Sequence, residues 1–452
     1  MSIHNNVSTL AQAMISREQL VSSVAVEGYK SIAHEQRVEL SPLTVLAGAN
    51  SSGKSSMMQP LLLLKQTLEA PFDPGALRLD GPNVRFTMAE QLLSKSLGKQ
   101  HATKFSITLE TQYGVTFRLV FVPLQGAGFD LSEMDYCLGK GKETVCITHA
   151  MSEDDILKIL PPEILSSPDP DFKKGWKVLR DRCFFELRLF RPDKRQIRFF
   201  PFPVPPTHMI IPCIEGVIHV PGFRGNPERT YTKTASDGLT FAGNFEPYVA
   251  SVIAQWQNAK DRERLRELGS ILEDIGLTWK VEARAVDDTR VELRVARLLH
   301  GKTGGARDLV SIADVGFGVS QTLPVVVALL VARPGQIVYL EQPEIHLHPA
   351  AQRRLVNAMI KAAQRGVILV IETHSTFVLR EIQTRIAQGH VSPDLVRMHW
   401  FTRDAKSGAT EVTTAKLDNN GAFGDWPEDF DNVSLSSEQD YLDAVEHAQP
   451  HK

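Results

Sequence analysis

Between Pro42 and Ala47 the chain reads Pro-Leu-Thr-Val-Leu-Ala, an apolar and partly β-branched run that predicts a buried strand. It passes straight into a Gly/Ser loop and then into Ser55 to Leu68, whose apolar spacing predicts a helix. Strand, loop and helix in that order predict the opening of a parallel α/β sheet. The same rhythm returns from Ser311 onward. Helix 320–332, strand Ile337 to Leu340, helix 349–364, strand Val367 to Ile371, helix 375–388 and strand Leu395 to Phe401 follow one another.

Elsewhere the pattern differs. Val24 to Lys30 and Gln36 to Leu40 predict short strands, and Phe105 to Val122 alternates as antiparallel strands. Phe245 to Ile275 has a helical period, and Val281 to Leu299 alternates again. The stretch 125–235 is irregular, and Pro201, Pro203, Pro205, Pro206 and Pro212 argue against long helices there. The expected organisation is an N-terminal arm (1–23), the first part of a sheet-forming domain (24–124) and an inserted α+β lobe (125–299). The second part of that domain (300–415) and an acidic tail (416–452) complete it.

Composition narrows the field. Fifty Lys and Arg stand against 53 Asp and Glu, a net charge of −3, which excludes a polybasic protein but leaves room for a local basic face. Cys137, Cys146, Cys183 and Cys213 show no Cys-x-x-Cys spacing, so neither a disulfide framework nor a zinc ribbon is expected. The start lacks a charged segment followed by an apolar core, and no apolar run is long enough to cross a bilayer. A soluble protein of the reducing cytoplasm is expected, with no membrane partner.

The firmest chemistry lies at Gly48-Ala49-Asn50-Ser51-Ser52-Gly53-Lys54-Ser55, which satisfies G-x-x-x-x-G-K-[ST] at every fixed position. The glycines let backbone N–H groups turn inward around a phosphate, and the following helix adds its positive end. Lys54 is expected on the β- and γ-phosphates and Ser55 on Mg²⁺, with Asn50, Ser51, Ser52 and Ser56 completing the ATP-binding set. A strand ending in Glu341 supplies an acidic residue for the same metal. Asp314-Val315-Gly316-Phe317-Gly318-Val319-Ser320-Gln321 opens a helix with two glycines and a serine, a second candidate phosphate nest. His346 and His348 have a spacing open to metal ligation, although beside Pro349 local structure is the simpler account.

The serial order of phosphate loop, glycine-rich helix start, acidic strand end and strand–histidine resembles the ABC-type ATPase heads of the RecF, SMC and OLD (overcoming lysogenization defect) group. The resemblance implies an ABC/SMC-type P-loop NTPase head with a mixed sheet and an inserted α+β lobe. It makes Gly48 to Ser55 the Walker A loop, Glu341 the Walker B ligand, and His374 the switch histidine. Gly316, Gly318, Ser320 and Gln321 fall on the signature motif, and Gln91 is the candidate Q-loop glutamine and metal contact. In such proteins ATP joins two heads, so a homo-oligomer is implied.

A finer likeness, to an OLD-like branch that includes the ATPase subunits of the Septu and PARIS systems, rests on Asp314 to Gln321 and on three further strings. They are Glu341 to Pro349, Gly424 to Phe430, and the Arg-x-x-Pro-x-Arg element in Gly222 to Tyr231. It implies a role in defence against phage with an effector nuclease or toxin acting in trans. A RecF-like DNA-clamping ATPase is the alternative.

Two features depart from or add to that pattern. The position after the magnesium ligand, usually a glutamate acting as general base, is Gln342, an amide that cannot accept a proton. Either hydrolysis is slow, or Glu344 or His374 takes over water activation. Residues 172–198 interleave ten Lys and Arg with Trp176, Phe184, Phe185 and Phe190, which suits either a DNA surface or a hairpin with a basic solvated face and an aromatic core.

Overall fold

The computed structural model describes residues 21–95, 101–160, 165, 174–190, 205–234, 240–298 and 308–422. The expected N-terminal arm (all but its last three residues), the acidic tail beyond 422 and the Gly424 to Phe430 string lie outside them. The first part of the chain forms β1 (Val21–Glu27), β2 (Gln36–Glu39), β3 (Leu43–Gly48), α1 (Lys54–Leu68), β4 (Phe105–Thr111), β5 (Val115–Leu124), β6 (Gly128–Leu138) and β7 (Val145–Thr148). Then come α2 (Glu153–Ile159), β8 (Trp176–Asp181), β9 (Phe184–Leu189), α3 (Ile211–Glu215), β10 (Ile218–Val220) and β11 (Tyr231–Thr232). Helices α4 (Val249–Asn258) and α5 (Arg262–Ile275) precede β12 (Val281–Ala285), β13 (Arg290–Ala296) and β14 (Leu309–Ser311). The last part alternates: α6 (Phe317–Val331), β15 (Ile337–Glu341), α7 (Pro349–Gln364), β16 (Ile368–Thr373), α8 (Thr376–Ala387), β17 (Val396–Arg403) and β18 (Thr410–Ala415).

Two six-stranded sheets dominate. One is antiparallel throughout, in the order β2-β1-β4-β5-β6-β7. The other runs β10-β15-β16-β3-β17-β18 and is parallel except for β18. In the parallel sheet β3 is buried at all six positions, as the apolar run from Leu43 predicts for a strand covered on both faces. Alternate side chains feed two cores. Val45 and Ala47 face the layer of α4 to α8, while Leu46 faces α1 and the antiparallel sheet.

Helix α1 lies between the two sheets, so even its polar residues Lys65, Gln66 and Thr67 are fully buried. Each is satisfied there. The Lys65 ammonium donates to the Phe241 carbonyl at 2.9 Å and the Glu215 carbonyl at 3.1 Å, and pairs with Glu69.

One boundary needs correction. Residues 125–299 do not form a separate inserted lobe: β6 and β7 extend the antiparallel sheet, and β10 supplies the edge of the parallel one. A three-residue strand such as β10 is too short to leave a periodic signature. The helical stretch 245–275 is two helices, interrupted where the Asp261 side chain caps α5 by accepting from the Arg264 N–H at 3.1 Å.

The basic hairpin β8–β9 is seen over residues 174–190. Trp176, Phe184 and Phe185 are core residues, 2%, 2% and 1% exposed, so they offer no stacking surface. Arg180 pairs bidentately with Asp73 at 3.0 and 3.1 Å, and Arg182 donates to the Ala70 carbonyl, which ties the hairpin to the end of α1. Lys173, Arg191, Lys194, Arg195 and Arg198 lie outside the described residues.

Candidate functional site

The site forms at the carboxyl ends of the parallel strands, where open α/β sheets place their ligands. Strand β3 ends at Gly48 with φ +147°, and a Cβ there would overlap the Phe401 carbonyl oxygen on the neighbouring strand. Gly53, which precedes α1 with φ +104°, is packed against Thr410 of β18 in the same way. Only glycine meets both demands, so the two fixed glycines of the motif answer to close packing as well as to backbone conformation. The loop is clamped from outside as well. The Thr410 hydroxyl bonds the Ser52 carbonyl and the Ser31 hydroxyl, both at 2.8 Å, and Arg403 Nε donates to the Ser51 carbonyl at 2.7 Å.

Asn50, Ser51, Ser52, Gly53, Lys54, Ser55 and Ser56 line a groove of about 450 Å³ together with Gln342, His374, Glu372, Lys30 and Arg403. Lys54 Nζ donates to the Ala49 carbonyl at 2.8 Å and the Gly48 carbonyl at 3.1 Å. Burial brings its ammonium down to about 8, against the opposing pull of Glu372. His374 is lowered as well, by burial and by the Lys54 charge.

A second cavity, of about 590 Å³, shares Ser55, Gln342 and Glu372 with the groove and adds Glu341, Arg224, Phe317 and Gln321. Here β15 and β16 run parallel with Glu341 directly opposite Glu372. Like charges side by side on a ladder repel. Burial, with the Glu341 charge next to it, pushes Glu372 up to about 7. Glu341 goes the other way. Burial raises it, but a 3.1 Å bond to His219 Nε2 and a 3.0 Å bond from the Gly222 N–H outweigh that and hold it below the usual carboxylate range.

Ser55 Oγ donates to Glu372 Oε2 at 2.7 Å, and the Tyr339 hydroxyl donates to the other oxygen. A hydroxyl and two adjacent carboxylates form a hard oxygen set that fits Mg²⁺, which commonly keeps one or two carboxylates and fills its octahedron with water and phosphate. Ser55, Glu341 and Glu372 would hold the ion, and a dication there would relieve the repulsion between the carboxylates. Bound there, it would neutralise charge on the phosphates.

Glu372 was not among the residues picked out by motif. It directly follows the apolar run Val367 to Ile371 and precedes Thr373-His374, and an acidic residue in a buried strand is the signal that marks it. Tyr339, His219, Lys30 and Arg403 carry no motif and come to the site only through the fold.

Other expected residues take different places. Glu344 lines neither cavity; its Oε1 accepts from Thr373 Oγ1 at 2.6 Å and from the His374 N–H at 3.1 Å, which makes it a support for His374. It is 7% exposed, and burial raises its carboxyl.

Gln91 does not join the site. It is exposed, and its side chain folds back on its own turn, accepting from the Thr87 N–H at 3.0 Å. Of the signature residues, Gln321 lines the second cavity, Gly316 caps α6 without a side-chain bond, and Ser320 Oγ donates to the Phe317 carbonyl within the first turn. Neither Gly316, Gly318 nor Ser320 lines the cavities. His348 caps α7 and His346 packs against Phe317. Among the described residues no cluster of three or more His, Cys, Asp or Glu could hold a metal by itself. No described helix is long and apolar enough to cross a membrane.

Residues 232–380 match the family model described as "AAA domain, putative AbiEii toxin, Type IV TA system", a span that holds Glu341, Glu372 and His374 and begins after the phosphate loop. No curated protein matches the chain in sequence. Among solved structures, the chain is similar to an SMC head bound to the C-winged helix domain of ScpA. That match has 12% identity and a TM-score of 0.48, over 88% of this chain and 98% of that one. It is also similar to the SMC head domain from Thermotoga maritima, at 10% identity and a TM-score of 0.37, over 88% of this chain and 100% of that one. A third is an Smc head with an extended coiled coil, bound to the C-terminal domain of ScpA derived from Pyrococcus furiosus. It shows 10% identity and a TM-score of 0.44, over 94% of this chain and 99% of that one. The phosphate loop on β3, with Glu341 and Glu372 at the ends of neighbouring parallel strands, is a P-loop NTPase arrangement, and residues 232–380 of the same chain are similar to an AAA domain.

Proposed function

We propose that this protein is a slowly hydrolysing, ATP-binding ABC-type ATPase whose nucleotide-bound form oligomerises and controls a separate effector nuclease or toxin in defence against phage. The observation that bears most weight is Gln342. It follows the expected magnesium ligand and lines both cavities beside Ser55 and Glu372. Its φ is +43°, its N–H donates to the Glu372 carbonyl at 2.9 Å, and its own carbonyl accepts from Arg224 at 3.0 Å. With the backbone so fixed, the Gln342 side-chain amide can orient a water but cannot take its proton. Glu344 is tied up beneath His374, while burial and the Lys54 charge favour the neutral form of His374, which leaves it, with Glu372, as a group at the groove able to accept one.

Slow turnover suits a molecule that uses ATP to hold an assembly. The family description of residues 232–380 names a toxin of a toxin–antitoxin system, which favours effector control over DNA repair. The buried aromatics of β8–β9 also remove part of the case for a DNA clamp. Steady-state ATP turnover of the purified protein is expected well below one per second, and Gln342→Glu is expected to raise it at least tenfold. Many turnovers per second in the native protein, undiminished in Glu344→Ala, would contradict the slow-hydrolysis reading. Co-purification from the intact operon, with and without ATP, tests for the effector.

A further inference from the structure

The segment from Gly222 to Arg229 bridges two parts of the site. At one end the Gly222 N–H holds Glu341 at 3.0 Å, and Arg224 Nη2 holds the Gln342 carbonyl at 3.0 Å. At the other, the Gly225 carbonyl accepts from Gln321 Nε2 at 3.0 Å, and Arg229 pairs with Asp314 at 2.8 Å. Gln321 lies in the first turns of α6 and Asp314 just before it. One strap therefore ties the metal-site carboxylate to the glycine-rich helix start.

Arg224 is 4% exposed, yet its Nε and Nη1 have no hydrogen-bond partner among the described residues. A guanidinium stays charged and has no acceptor capacity, so buried, unmet N–H groups are costly until an anion meets them. Arg224 lines the cavity that shares Ser55, Gln342 and Glu372 with the phosphate groove. The charges of Glu246, Glu344 and Glu341 act on the guanidinium, and Glu344 Oε2 likewise lacks a partner among the described residues. A simple Arg224–Glu344 pair is the competing account.

We propose that Arg224 reads the terminal phosphoryl group of a nucleoside triphosphate seated in the phosphate loop, and that the 222–229 strap passes this occupancy to α6. The proposal rests on the nucleotide-binding reading above. Its chemistry is that of a planar fork matched to phosphate oxygens. A diphosphate has no group to offer it, so Arg224 distinguishes the two nucleotides.

The test measures equilibrium affinity for Mg²⁺-ADP and for a Mg²⁺-bound non-hydrolysable ATP analogue in the full chain. Native protein, Arg224→Gln, Arg224→Lys and Asp314→Asn are compared, each with its thermal midpoint. Arg224→Gln is expected to lose about ten- to a hundredfold in affinity for the triphosphate analogue and little for ADP, and Arg224→Lys to recover part of the loss. Asp314→Asn is expected to keep both affinities but lose the analogue-dependent protection of Phe317–Val331 from hydrogen exchange. Equal losses for both nucleotides in Arg224→Gln, with a lowered midpoint, would mark the Glu344 pairing and overturn the proposal. So would unchanged affinities. Native protein that bound neither nucleotide would instead overturn the nucleotide reading beneath it.

Discussion

The two six-stranded sheets are built from similar residues and do different work. The antiparallel sheet packs Phe105, Phe117 and Phe121 against α1 and, among the described residues, lends the nucleotide groove only Lys30 and the Ser31 clamp, from the turn between β1 and β2. The parallel sheet ends in Gly48, Glu341 and Glu372 along one edge, with Gln342 and His374 just beyond. The difference follows from direction. Parallel strands finish together, so their last side chains and the loops after them converge, whereas antiparallel neighbours finish at opposite edges.

Substitutions in the two sheets should therefore separate stability from binding. The largest effect is expected in the antiparallel sheet. Phe105 is 1% exposed and packs on Tyr29, Phe121 and Phe129, so Phe105→Ala should cost about 3–5 kcal/mol in denaturant unfolding. The protein that remains folded should keep its nucleotide affinity; a proportionate loss of binding would mean that the sheets are not divided in this way.

Next comes Lys54→Ala, in which nucleotide affinity by calorimetry should fall about ten- to a hundredfold with no comparable loss of stability. Undiminished affinity would remove the basis for the site.

The pH response is the third contrast. Glu372 has a folded value of about 7, above its ordinary 4.5, so the native state holds its proton more tightly than the unfolded chain. Its contribution to stability is then lost as pH rises from about 4.5 to about 7, by up to about 1.4 kcal/mol per pH unit. Glu372→Gln should abolish that decline, so the variant gains on the native protein across this window and holds a constant margin above it. Thermal midpoints at pH 5 and pH 8 measure it, and parallel behaviour of the two proteins would refute it.

The smallest effect belongs to the clamp. Thr410→Val removes the bonds to Ser52 and Ser31 and should cost about 1 kcal/mol of stability with a few-fold loss in nucleotide affinity.

What could be read from the sequence divides along the same line. The phosphate loop is a local pattern, eight consecutive residues whose spacing is itself the chemistry, and the strand before and the helix after it are plain in the apolar periodicity. Glu341 follows from an apolar strand that ends in an acid. Glu372 closes an apolar run in the same way, but its role lies in its register opposite Glu341 and in a bond to Ser55, 317 positions away. No periodicity reports such a pairing. Gln91 misled for the opposite reason: a glutamine at a plausible spacing closes its own turn. The strap at 222–229 was visible as a string of arginines, glycines and a proline, but its partners belong to three other elements.

The clamp on the phosphate loop has a consequence for synthesis. The ribosome makes residues 48–55 well before the walls that press on them, since Phe401 and Thr410 follow only about 350 positions later. An unfinished chain owns the loop without its cradle, so the capacity to grip nucleotide arrives late and marks a polypeptide that has been completed at least through β18.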